Sequence, residues 1–225
     1  MDPGYGNQPV SEKNHAAGGP LLSRLAPIIA LTAACWLVFV FNNLIGDGHL
    51  SRYGIIPRHL RSLSGIIWAP FLHGSFQHLA ANTVPLLILG GILCARSRTE
   101  FALVTVGGMI AGGGLTWLLA RNASHIGASG LIFCYFAYLA SLAWFRRTFG
   151  ALLLSAVCIL GYGGMLRGVL PTSAAVSWEG HIAGLMAGIA LGWLAARLKK
   201  PATDASNPVP GDMTSPAVSK GPARS

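Results

Sequence analysis

Six long stretches of this chain carry no charge and are mostly apolar: 25–41, 79–95, 101–120, 127–145, 149–166 and 181–196. Several fall slightly short of the ~20 residues that cross a bilayer, but their flanks are uncharged or mildly polar, so each extends by a turn. The pattern predicts six transmembrane helices, an all-α polytopic membrane protein. Residues 1–20 are polar and rich in Gly and Pro, and 201–225 hold five prolines among polar residues. Both read as disordered cytoplasmic extensions flanking a membrane domain over 21–200. No basic segment precedes a short apolar stretch with a small-residue cleavage site, so no removable signal peptide is expected. The 42–76 connection is too long for a mere linker. It mixes Leu63, Ile66, Ile67, Trp68 and Phe71 with Pro57 and Pro70, which suits a structure lying in the outer membrane interface, the alternative being an extramembrane loop with a small core of its own.

Composition agrees with the pattern. Apolar residues are 52% and charged residues 10%, against about 25% charged in a soluble domain, and mean hydropathy is +0.55. The 29 glycines have no period of three, which excludes collagen, and 9% aromatics exclude a disordered polar chain. A net charge of +9 would suggest nucleic acid in a soluble protein. Here the basic residues lie between apolar runs and report topology instead, so the expected partner is the lipid bilayer and not nucleic acid. With the N-terminus inside, Lys13, Arg24, Arg96, Arg98, Arg146, Arg147, Arg197, Lys199, Lys200, Lys220 and Arg224 fall on one side. Arg52, Arg58, Arg61, Arg121 and Arg167 fall on the other, eleven against five. Both termini are therefore predicted cytoplasmic, in a multi-pass protein of the cell (plasma or inner) membrane. Cys35, Cys94, Cys134 and Cys158 all lie inside apolar runs with no CxxC. They read as packing residues, and no metal or cofactor is expected.

Polar groups inside spans are costly, so they are candidates for chemistry. Gly127-Ala128-Ser129-Gly130 opens the fourth span. A serine at the first turn of a helix is an ordinary N-cap, but the unpaired N–H groups there also stabilise an oxyanion. His181 opens the sixth span, with Gly184, Gly188 and Gly192 on the same helical face. That small-residue stripe allows close helix approach. Ser129, Ala137 and Ala140 form a comparable stripe on the fourth span, and docking the two would bring Ser129 to His181. His78 and Asn82 share a face of the second span at i and i+4, and both can donate to an oxyanion. His73, just before that span, reads as a structural tie of the long loop. The second, fourth and sixth spans all run from outside to inside, so His78, Ser129 and His181 share one depth near the outer leaflet. A nucleophile, a base and an oxyanion donor would require that. No carboxylate is placed to complete a triad. Asp47 is in the long loop, and Glu179, two residues before His181, points to another helical face. There is no HExxH and no Asp inside a span, which argues against zinc and aspartyl intramembrane proteases.

Over roughly 25–197, these residues together resemble the rhomboid family of intramembrane serine proteases, in its short bacterial six-helix form. The resemblance rests on Gly127-Ala128-Ser129-Gly130, on His181-Ile182-Ala183-Gly184 and on His73-(x4)-His78-(x3)-Asn82. It implies Ser129 as nucleophile and His181 as general base, with His78, Asn82 and the Ser129 N–H as oxyanion hole. Gly127, Gly130, Phe133 and Gly184 would support them. The site would lie in a water-filled cavity open to the outside, with the fifth span and the 167–178 loop as gate and cap. Substrates would be single-span membrane proteins cut near the outer face. Phe133 stands where the family often has Tyr, and the Trp-Arg pair common in the family's long first loop is absent. A silent relative that binds membrane clients without cutting them would mark itself by losing Ser or His, and neither is lost. A small transporter would show internal repeats, and none is evident. Substrate identity and oligomeric state have no signature in the sequence.

Overall fold

A computed structural model describes residues 21–44, 49–173 and 176–198. The predicted tails 1–20 and 201–225, and Asp47, lie outside the described residues. Among the described residues, six helical segments are long and apolar enough to cross a membrane. They are α1 (Leu21–Leu44), α2 (Phe76–Arg96), α3 (Arg98–Leu119), α4 (Ser129–Arg146), α5 (Phe149–Tyr162, which crosses only together with the helical turn that continues it to Val169) and α6 (Trp178–Leu198). Beyond Tyr162, α5 tightens into a 3₁₀ turn, Gly163–Val169, rather than continuing as the α-helix its apolar run suggested. Among the described residues the only strand-like pairing is one isolated bridge, Ile55 with His125.

Helix starts follow local chemistry. Ser75, Ser97 and Thr148 each hold an extended backbone and accept a hydrogen bond from the N–H three residues on, capping α2, α3 and α5. At the start of α4 the capping position is Ala128, with no side-chain cap, so the hydroxyl of Ser129 is not used to begin its helix.

α4 is the axis of the bundle. Ten of its 18 residues are buried, and it touches α2, α3, α5 and α6. The tightest seam runs between α4 and α6. A Cβ at Gly184 would collide with the Gly130 carbonyl, one at Gly188 with the Cys134 carbonyl, and one at Gly192 with Ser141 Oγ. The facing stripe on α4 is thus Gly130, Cys134, Ala137 and Ser141, which keeps the predicted Ala137 and puts Gly130 and Ser141 where Ser129 and Ala140 were expected. The seam places main chain on main chain, and that needs Gly130 and not Ser129 at the contact.

At the end of the bundle where α3 begins, Glu100 joins three helices. It accepts from Tyr138 Oη at 2.7 Å and pairs with Arg96 and Arg146, each at 3.4 Å. At the other end the long loop folds back in short helical turns. Arg58 Nη1 donates to the carbonyls of Leu118 and Ala120 (3.2 and 2.9 Å), satisfying the open end of α3. Leu60, Ile67 and Trp68 stay exposed on this loop.

Candidate active site

α2, α4 and α6 all begin at the same end, and their first turns face one another. Ser129 Oγ lies 2.9 Å from His181 Nε2. The other ring nitrogen, Nδ1, lies 2.7 Å from the carbonyl oxygen of Gly168, in the turn that follows α5. A carbonyl can only accept, so Nδ1 carries the proton of the neutral ring and Nε2 is left to accept from the serine hydroxyl. Phe133, one turn along α4 from Ser129, stacks on the imidazole with ring centroids 4.2 Å apart. His181 is buried at 8% exposure, and Ser129 is half-exposed.

The wall beside Ser129 comes from α2 and the chain before it. Gly127 has φ +111°, a conformation open to glycine, and a Cβ there would fall 2.6 Å from His78 Cε1 and Nε2 and 3.5 Å from Asn82 Nδ2. His78 and Asn82 therefore flank the main chain that leads into Ser129. Asn82 Nδ2 donates to His73 Nε2 at 3.1 Å, and the Ala128 N–H approaches the same nitrogen at 3.4 Å. His73 Nδ1 faces the Phe71 carbonyl at 3.4 Å. One neutral tautomer serves all three contacts, with the proton on Nδ1 and Nε2 accepting. Burial, then the neighbouring His78, lowers the His73 pKa to about 4, with the Phe71 carbonyl pulling the other way. His73 thus sits within the cluster, holding the carboxamide of Asn82.

A cavity of ≈ 50 Å³ opens beside Ser129, bounded by Ile66, Met109, Gly112, His125 and Ser177. Around it the α3–α4 loop is fastened to the start of α6. Arg121 Nη1 meets both carboxylate oxygens of Glu179 at 3.1 Å, Arg121 Nη2 donates to the Val176 carbonyl at 2.9 Å, and His125 Nδ1 pairs with Ser177 Oγ at 2.6 Å. Glu179 is therefore spent on Arg121.

The sequence reading missed Gly168, His125 and Ser177, and it used Arg121 only to count charge. Oppositely charged residues at the ends of the third and sixth spans, Arg121 and Glu179, were a usable signal. A main-chain carbonyl such as that of Gly168 leaves none.

A family model described as the rhomboid domain matches residues 60–198. The chain belongs to the rhomboid family. This rhomboid is 37% identical over 176 residues to uncharacterized proteins of Mycobacterium tuberculosis (strain H37Rv) and Mycobacterium bovis, covering 74% of this chain and 73% of each of theirs. It is 36% identical to an uncharacterized protein of Mycobacterium leprae, covering 74% of this chain and 69% of that one. The matched family segment contains Ser129, His181, His78 and Asn82, and it makes this rhomboid a multi-pass membrane protein.

Proposed function

We propose that this rhomboid is an intramembrane serine endopeptidase working through Ser129 and His181. The observation that carries the reading is the ordered chain Ser129 Oγ to His181 Nε2, and His181 Nδ1 to the Gly168 carbonyl. Ser129 Oγ attacks the scissile carbonyl carbon while its proton passes to Nε2, forming an Oγ–C bond and an oxyanion. His78, Asn82 and the Ser129 N–H surround the place where that negative charge develops, each donor worth about 3 kcal/mol in such sites. The C–N bond then breaks as Nε2 returns the proton to the leaving amine. Water adds to the acyl-enzyme, giving a proton to Nε2. The Oγ–C bond breaks, and that proton restores the serine hydroxyl.

The substrates are single-span membrane proteins cut near the outer face of the cell membrane, with both termini of the enzyme cytoplasmic. The cavity of ≈ 50 Å³ beside Ser129 favours a small side chain next to the scissile bond. The chemistry calls on no cofactor or metal, and the partners are lipid and substrate.

The test is cleavage of a tagged single-span reporter in proteoliposomes by wild type, Ser129→Ala and His181→Ala. Cleavage by wild type alone supports the reading. Substantial cleavage by either variant removes the assigned pair, and a fluorophosphonate probe that fails to label wild type removes the enzyme.

A further inference from the structure

α5 is a lightly held helix. Of its 14 residues only Ala151, Ser155 and Cys158 are buried, and it packs on α4. Its one polar bolt is Ser155, whose Oγ donates to the Leu139 carbonyl (2.9 Å) and accepts from the Ala143 N–H (3.0 Å), bridging a rung of the α4 ladder. Thirteen residues further on, the Gly163–Val169 turn reaches α6 through the Gly168 carbonyl at His181 Nδ1. The approach depends on glycine. A Cβ at 168 would stand 3.1 Å from His181 Nδ1 and 3.2 Å from Phe133 Cζ, tighter than ordinary packing.

We infer that Gly168 is the positioning residue for His181, and that it makes the tautomer of the base depend on the seating of α5. The inference rests on the peptidase reading above. The Phe133 stack fixes the plane of the imidazole but cannot choose which nitrogen is protonated, since a ring face offers neither nitrogen an acceptor. The carboxylate nearest in sequence, Glu179, is engaged by Arg121. Among the described residues, the Gly168 carbonyl is the acceptor that meets Nδ1. When the turn moves off, the proton is free to sit on Nε2, and a ring protonated there cannot take the serine proton. Displacement of this end of α5 therefore silences the base while leaving Ser129, His78 and Asn82 in place.

The experiment compares wild type, Gly168→Ala and Gly161→Ala as full chains in proteoliposomes. Gly161 is the control, at the end of α5 just before the turn, with nothing within 4 Å of an added Cβ. Labelling of Ser129 by a fluorophosphonate reports the base without needing a polypeptide to enter. Gly168→Ala is expected to slow labelling and to lower kcat on the reporter by the same factor, about a hundredfold. KM should stay within about twofold, and Gly161→Ala should match wild type. Labelling of Gly168→Ala at the wild-type rate overturns the inference, even if reporter cleavage falls, because the turn would then govern access and not the base. Should Gly168→Ala not fold, the imidazole ¹⁵N spectrum of wild type decides. A neutral His181 protonated at Nδ1 upholds the inference, and one protonated at Nε2 overturns it. Wild type that neither labels nor cleaves would remove the peptidase reading, while the same spectrum would still report on Gly168.

Discussion

Phe133 and His181 lie face to face, their ring planes 12° from parallel and their centroids 4.2 Å apart. Both are buried, at 4% and 8% exposure. The pair joins the central helix to the helix carrying the proposed base, and it leaves the edge nitrogens of the imidazole free for Ser129 and Gly168. Aromatic pairs of this kind contribute about 0.5–1.5 kcal/mol beyond their buried area. Phe133→Leu, which keeps an apolar side chain and loses the stack, should therefore lower kcat roughly three- to tenfold. Reporter kinetics would show this, and an unchanged kcat would mean the stack is packing alone.

Asn82 holds His73 with one amide hydrogen and lies beside Gly127, where the second can meet an oxyanion. Asn82→Ala is expected to lower kcat by about 10²- to 10³-fold, the usual loss for one oxyanion donor. That is less than the loss in Ser129→Ala. KM should move little, because the interaction strengthens only as negative charge develops. A rise in KM with kcat intact would place Asn82 in substrate binding.

His73 gives the fold a pH dependence. Its pKa falls from 6.5 to about 4 on folding, through burial and then His78. The unfolded chain binds this proton below about pH 6.5, whereas the folded chain resists it until about pH 4. The stability due to neutral His73 is therefore complete above about pH 6.5 and is lost as pH falls toward 4, by on the order of 3 kcal/mol. Thermal unfolding measured across that range should show this slope in wild type and a shallower one in His73→Gln. Equal slopes would assign the dependence to other groups.

The glycine seam predicts a graded series. Gly184→Ala and Gly188→Ala set a Cβ against main-chain carbonyls that cannot yield, so each should destabilise by at least the 1–3 kcal/mol of ordinary overpacking. Gly192→Ala meets only Ser141 Oγ, a side-chain tip, and Ser141→Ala in the same chain should restore its stability. Melting temperatures in detergent would rank the variants. Failure of the double variant to recover would mean that the helix backbones, and not the hydroxyl, set the distance.

Much of this arrangement was legible beforehand. Uncharged runs gave all six helices, because a bilayer imposes length and hydropathy directly on sequence. Ser129, His181, His78 and Asn82 were found together because each is a polar group near the start of an alternate span, and depth is a sum over residues that topology makes readable. The seam was found at Ala137 but missed by one residue at either end, since Ser129 and Gly130 are both small and only the backbone contact distinguishes them. His73 was legible as a tie but not as the partner of Asn82, because the bond spans a turn whose path composition does not encode. The carbonyl at 168 was invisible, for every residue has one. Its distinguishing mark, a glycine that an imidazole needs to approach, appears only when α5 and α6 are set side by side.

The Ser155 bolt gives α5 the geometry of a lever. Laid end to end, the helix and turn from Ser155 to Gly168 would extend about 20 Å. A tilt of about 5° around the bolt carries the far end through roughly 1.7 Å. The contact at that end is 2.7 Å long, and hydrogen bonds fail beyond about 3.5 Å. Angular play that is small along the shaft is thus large at the tip, so under the inference drawn for Gly168 a slight tilt of this exposed helix would be enough to release the proton on His181 Nδ1.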